Sequence, residues 1–209
     1  VLILFFPDTN NIQSSRTFKL SEIKILFNNK EILSHFIGIF ILHLILTACF
    51  VAIPITLTDI HHIDSNEYPQ VFSFILSMSL ILIIPMLVFE RKEPQKARFY
   101  STFLLLCSLI IMTIFYSNPV YTIFSLVIFM GAFSVIEASL PSSTSKIVPI
   151  NSRGSSMGFF STFQFLGTFA GGVIGGFILS SSSLSVIFLV CAIISGIWLM
   201  TSFLQMNYR

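Results

Sequence analysis

Six long runs of apolar residues, separated by short polar breaks, organise this chain from residue 32 onward. They occupy residues 32–58, 68–89, 99–116, 120–140, 154–179 and 184–206, and charged residues are almost absent from them. Each run is about twenty residues long, the length at which an α-helix crosses a hydrocarbon core of roughly 30 Å. The pattern predicts an all-α, polytopic membrane protein with a bundle of six transmembrane helices over 32–209. The breaks suit that reading. Ser117-Asn118-Pro119 favours a turn between the third and fourth runs, and Ser180-Ser181-Ser182-Ser183 splits the fifth from the sixth.

Residues 1–31 read differently. The apolar stub 1–6, closed by Pro7-Asp8, reaches only about 9 Å as a helix. It reads as the end of a truncated helix, which makes the chain a fragment. Residues 8–31 are polar and basic and form a cytoplasmic linker. Phe18, Leu20, Ile23, Ile25, Leu26 and Phe27 interleave with its charges, as in an amphipathic helix lying on a membrane surface.

Charge adds the orientation. All eleven Lys and Arg fall in segments on one side of the expected membrane: Arg16, Lys19, Lys24 and Lys30, then Arg91, Lys92, Lys96 and Arg98, then Lys146 and Arg153, and last Arg209. The three intervening turns carry none. Basic loops stay on the cytoplasmic side, so both termini are expected in the cytoplasm; a bacterial inner membrane as the setting is what the family resemblance given below implies. A hydrophobic fraction of 55%, a charged fraction of 10% and a mean hydropathy of +0.91 exclude an ordinary soluble domain. The net charge of +2 is then a matter of topology, and no nucleic-acid partner is implied. Cys49, Cys107 and Cys191 are scattered through the spans without metal or disulfide spacing and read as small packing residues.

Few residues offer chemistry. Glu137 is the only Asp, Glu, Lys or Arg inside a run, and an acid in a span is a functional candidate by default. Four residues before Pro141, it is expected near the cytoplasmic mouth. There it would latch the inner gate with Lys146 or Arg153, couple transport to protons, or snorkel. His43 stands near the middle of the first run with Thr47 one turn on and so on the same face. It suits either a neutral hydrogen-bonded role or a proton carrier. Gln164 needs a polar partner, so it either bridges helices or lines a substrate path. The fifth run carries Gly154, Gly158, Gly167, Gly171, Gly172, Gly175 and Gly176. Their four-residue spacings let helix backbones approach closely, for packing or for sliding. Asp59, His61, His62 and Asp64 crowd one short loop in which adjacent ligands rarely close a coordination sphere, so no metal is expected. No cofactor cradle, catalytic triad or zinc-helix motif is present, and an enzyme is not expected.

Six spans with inside termini, a charged loop at Glu90-Arg91-Lys92 and a Gly-rich fifth helix resemble the carboxy-terminal half of a major facilitator superfamily transporter. The resemblance is sharpest over 137–149, from Glu137 to Lys146-Ile147-Val148-Pro149, then Arg153-Gly154 to Gly158, then Ser161 to Gly167. Leu42-His43 and the run from Phe50 to Pro54 add to it. It implies proton-coupled export of a small molecule by alternating access, with the substrate held between two six-helix halves. Glu90 and Arg91 join Glu137, Lys146 and Arg153 as inner-gate candidates; His43, Thr47, Glu137 and Gln164 are candidates for the substrate path or proton coupling. The partners implied are the lipid bilayer, protons, a small-molecule substrate and a missing amino-terminal six-helix half, on the same or a separate chain. The alternative is a six-helix membrane protein that no longer transports, or one that homodimerises in a structural role.

Overall fold

The computed structural model describes residues 26–207, with no side chains beyond 204. The apolar stub 1–6, most of the linker with its amphipathic stretch, and Arg16, Lys19, Lys24 and Arg209 lie outside the described residues. Six helices long and apolar enough to cross a membrane account for nearly all the rest: α1 (Lys30–Ile55), α2 (Tyr68–Lys92), α3 (Pro94–Phe115), α4 (Pro119–Ile147), α5 (Arg153–Ser181) and α6 (Leu184–Asn207).

Local chemistry sets the boundaries. Asn29 caps α1, its Oδ1 accepting from the Glu31 and Ile32 amides at 2.9 and 3.3 Å. Asn118 caps α4 in the same way, accepting from Val120 and Tyr121 at 3.0 and 3.4 Å. Pro94 and Pro119 open α3 and α4, where the missing N–H and fixed φ suit a first turn. The connection expected at 90–98 is almost wholly helical, because Pro94 restarts the helix with only Glu93 between it and Lys92. The fourth helix also outruns its expected end at Leu140. Pro141 sits inside it, and the helix continues to Ile147. Proline removes only the bond to the Glu137 carbonyl, and side chains beyond it tie that segment down. Thr144 Oγ1 donates to the Leu140 carbonyl at 2.8 Å and meets His35 Nδ1 of α1 at 3.1 Å.

Six successive crossings gather Lys30, Arg91, Lys92, Lys96, Arg98, Lys146 and Arg153 at one end of the bundle, the basic end. Asp59, Asp64 and Glu67 lie at the other. Helices α1 and α4 are the enclosed ones, with 61% and 56% of their most apolar windows buried, whereas α2 and α5 reach only 11% and 17%. α1 lies against α4, α5 and α6, and Phe36, Ile39, Leu42, Ile45 and Cys49 form its side of the core.

The α1–α5 seam is a backbone-to-backbone contact. A Cβ built at Gly167 would stand 2.2 Å from the Phe40 carbonyl oxygen, and one at Gly171 would stand 2.3 Å from that of Leu44. At Gly175 it would meet Ala48 Cα at 3.1 Å. These glycines and their partners both step by four residues, so two matching stripes cross. Gly172 faces Thr47, whose Cγ2 would lie 3.8 Å from an added Cβ, while Gly154, Gly158 and Gly176 meet nothing within 4 Å among the described residues.

At the acidic end, α1 unwinds through a wide π turn, Thr56–Ile60, into His62, which takes a positive φ of 56°. The Tyr68 hydroxyl donates to the Pro54 carbonyl at 2.8 Å and also meets Thr58 Oγ1. His61 Nε2 lies 3.1 Å from Thr122 Oγ1, whose own proton goes to the Tyr116 carbonyl. The ring therefore donates, and it clasps the end of α1 to the start of α4. Burial holds the His61 imidazole below its ordinary pKa, against the opposing pull of the Tyr116 backbone. The unfolded chain thus binds this proton more readily than the folded one, so the clasp contributes fully above about pH 6.5 and weakens as pH falls below it. Thermal stability in detergent should fall from pH 7.5 to 5.5, and less steeply in His61→Gln. Equal slopes would count against the clasp.

Candidate functional site

Three helices each deliver one polar side chain to a single point inside the bundle. His43 on α1 faces Gln164 on α5, with the Gln164 amide nitrogen 2.9 Å from His43 Nε2. The same nitrogen donates to Glu137 Oε1 of α4 at 3.2 Å. Glu137 Oε2 is buried, makes no hydrogen bond among the described residues, and stands 3.6 Å from His43 Nε2.

The hydrogen bonds fix the state of the ring. His43 Nδ1 lies 3.2 Å from the Ile39 carbonyl, which can only accept, so Nδ1 carries the proton. The Gln164 amide nitrogen can only donate, so Nε2 presents its lone pair. In this arrangement His43 Nδ1 donates and Nε2 accepts, and both protons of the Gln164 amide are in use. Phe133 packs edge-on against the imidazole, with centroids 5.6 Å apart, and stacks on Phe129. The site is closed on the His43 side and more open at Glu137, whose side chain is 35% exposed against 9% for His43.

Glu137 and His43 were expected at different depths, yet they share one level. The continuation of α4 past Pro141 is the reason, since it leaves Glu137 about 15 Å from the helix end. Thr47 lies half-buried one turn beyond His43, against α5, and Thr168 donates to the Gln164 carbonyl at 3.2 Å. Lys146, Arg153 and Arg91 are exposed at the basic end.

A second polar cluster sits near that end and was not singled out from the sequence. Arg98 Nη1 of α3 donates to Ser139 and Ser143 of α4 at 3.3 and 2.7 Å. Ser139 in turn donates to Glu90 of α2 at 3.0 Å. Among the gate candidates, Glu90 is thus joined to α4 through a serine. The four-residue spacing of Ser139 and Ser143, which puts both on one helix face, was the available signal.

The amino-acid sequence itself has counterparts in known proteins. The family model for the Major Facilitator Superfamily matches residues 35–207. The chain belongs to the major facilitator superfamily. This superfamily chain is a multi-pass integral membrane protein of a transporter family, not an enzyme family. It is 30% identical over 164 residues to the inner membrane transport protein YajR of Escherichia coli K12, covering 78% of this chain and 36% of that protein. An uncharacterized transporter of Buchnera aphidicola subsp. Baizongia pistaciae is 25% identical over 199 residues, or 94% of this chain and 50% of the relative. A second Buchnera transporter, from subsp. Acyrthosiphon pisum, is 30% identical over 172 residues, covering 79% and 43% of the two chains. The chain thus spans half the length of these relatives or less.

Proposed function

We propose that this chain acts as the carboxy-terminal half of a proton-coupled exporter, with His43, Gln164 and Glu137 as its coupling site. The observation that carries the reading is the convergence of one polar side chain from each of α1, α4 and α5, with Glu137 Oε2 left without a hydrogen bond among the described residues. A proton entering from water meets Glu137 first, because Glu137 is the more exposed partner. On Oε2 it stands 3.6 Å from His43 Nε2, and only the Gln164 amide occupies that lone pair. Passing the proton to His43 requires Gln164 to swing away or turn its carbonyl inward. Protonation therefore rewrites the bonds that hold three helices together, which is the link alternating access needs.

The coverage of the relatives and the little-buried α2 and α5 support an amino-terminal six-helix half as the partner, on this or a second chain. The clustering of basic residues supports a cytoplasmic basic end, and the YajR relative supports an inner membrane. Aromatic walls and sparse polar groups favour an apolar or amphipathic solute. Arg98, Glu90 and the two serines serve as the inner-gate tie.

Glu137→Gln tests the coupling, since glutamine keeps the shape and cannot take up the proton. In vesicles carrying the complete two-half transporter and an amphipathic fluorescent dye, pH-gradient-driven dye movement should be lost. Dye exchange at equal pH should persist. Gradient-driven movement at the parent rate would refute the assignment.

A further inference from the structure

We propose that a cleft at the basic end, between α1, α3 and α6, binds an anionic phospholipid of the leaflet on that side. The cleft has a volume of about 680 Å³ and is separate from the His43–Gln164–Glu137 point. Its mouth carries Lys30, Glu31, Gln95 and Arg98, and its depth is walled by Ile41, Leu140, Ile197 and Trp198.

Four features select a lipid. The first is polarity: Lys30, Gln95 and Arg98 stand at the mouth, His35 and Thr102 one turn further in, and Ile41, Ile197 and Trp198 deepest, the order of a headgroup, its glycerol oxygens and an acyl chain. The second is charge, since two cations face one carboxylate at the mouth, and basic pockets between helices suit anionic headgroups. The Arg98 guanidinium is held in place by Ser139 and Ser143, so its position is set before a ligand arrives. The third is reach. The α1 wall runs from Lys30 to Ile41, a rise of about 16 Å, close to half the hydrocarbon thickness and so to one leaflet. The fourth is access. Ile37 and Ile197 line the cleft and are 44% and 59% exposed, so the α1–α6 seam opens sideways, where a lipid enters from the bilayer.

Trp198 is the only tryptophan in the chain and lines this cleft, which makes the test direct. The full chain is reconstituted in phosphatidylcholine vesicles containing a minor fraction of phosphatidylglycerol or phosphatidylcholine with brominated acyl chains. Brominated phosphatidylglycerol should quench Trp198 with a preference of about fivefold per cation engaged. Lys30→Gln, at an exposed first-turn position, and Arg98→Gln should each reduce that preference, while Arg98→Lys should retain it. Equal quenching by the two lipids, or a preference that neither glutamine variant alters, would overturn the proposal. Quenching by neither lipid would mean that protein fills the cleft, which also overturns it. Soluble glycerol 1-phosphate, added to protein in phosphatidylcholine alone, should leave the emission unchanged. A saturable change would assign the site to a free anion instead.

Discussion

Gly171→Leu is expected to unseat α5 from α1 and to lower thermal stability far more than the same change at an α5 glycine off the seam. Even the first carbon of the new side chain would stand 2.3 Å from the Leu44 carbonyl oxygen. That atom belongs to helix backbone and cannot rotate aside, so the helices must part. Overpacking a well-filled interior costs about 1–3 kcal/mol, and a clash with backbone belongs at the upper end. Gly171→Ala should already destabilise, unlike most glycine-to-alanine changes within a helix, which gain propensity. Gly176→Leu is the control. Nothing lies within 4 Å of a Cβ there, so its stability should stay within about 0.5 kcal/mol of the parent. Melting in detergent, followed by the monodisperse fraction in size exclusion, distinguishes the two; an unchanged midpoint for Gly171→Leu would show that the seam yields freely. The effect extends to the proposed coupling site. His43 lies between Phe40 and Leu44 on the same α1 stripe, and Gln164 lies one turn before Gly167 on α5. Separating the helices by about an ångström would stretch the 2.9 Å contact between these side chains beyond hydrogen-bonding range.

Much of this architecture was legible because the bilayer imposes a simple rule. Spans must be apolar and about twenty residues long, so the number of helices and their order followed from the runs themselves. The helix ends were less legible where proline was involved. Pro94 and Pro119 start helices as expected of a first-turn residue, whereas Pro141 lies within one. Nothing in the local sequence separates these roles, because the latter depends on Thr144 and Ser143 finding partners on α1 and α3. That one misplaced end set Glu137 at the wrong depth and hid its contact with His43. The glycine spacings were visible as a class, but only the crossing of α1 selects Gly167, Gly171 and Gly175 over Gly154, Gly158 and Gly176. The Arg98–Ser139–Glu90 tie was hidden differently. Serine is common in spans and marks no function until a charged partner reaches it.

Gln164→Leu should be the most damaging change at the proposed coupling site after loss of Glu137 itself, and the manner of the damage is informative. Leucine approximates the volume of glutamine and keeps α5 helical, so packing is largely conserved. It removes both donors at once, leaving the His43 Nε2 lone pair and Glu137 Oε1 unmatched in a low-dielectric setting. A stranded buried partner costs about 1–3 kcal/mol, more when it is charged. Some of this returns if His43 takes up a proton and closes on Glu137 Oε2 across the present 3.6 Å, forming a direct ion pair. In that state the proton is trapped and the helices stay locked together, so gradient-driven transport should fall by about tenfold or more, in line with the loss of a single such interaction. A double-mutant cycle separates this from a simple packing defect. If Gln164 works through Glu137, adding Gln164→Leu to Glu137→Gln should cost little further, because the carboxylate that leucine strands is already gone. The readout is dye exchange at equal pH, which Glu137→Gln alone preserves; a large loss of that exchange in the double variant would instead mean that Gln164 contributes independently, as a wall of the substrate path and not as the bridge between the proposed proton-carrying groups.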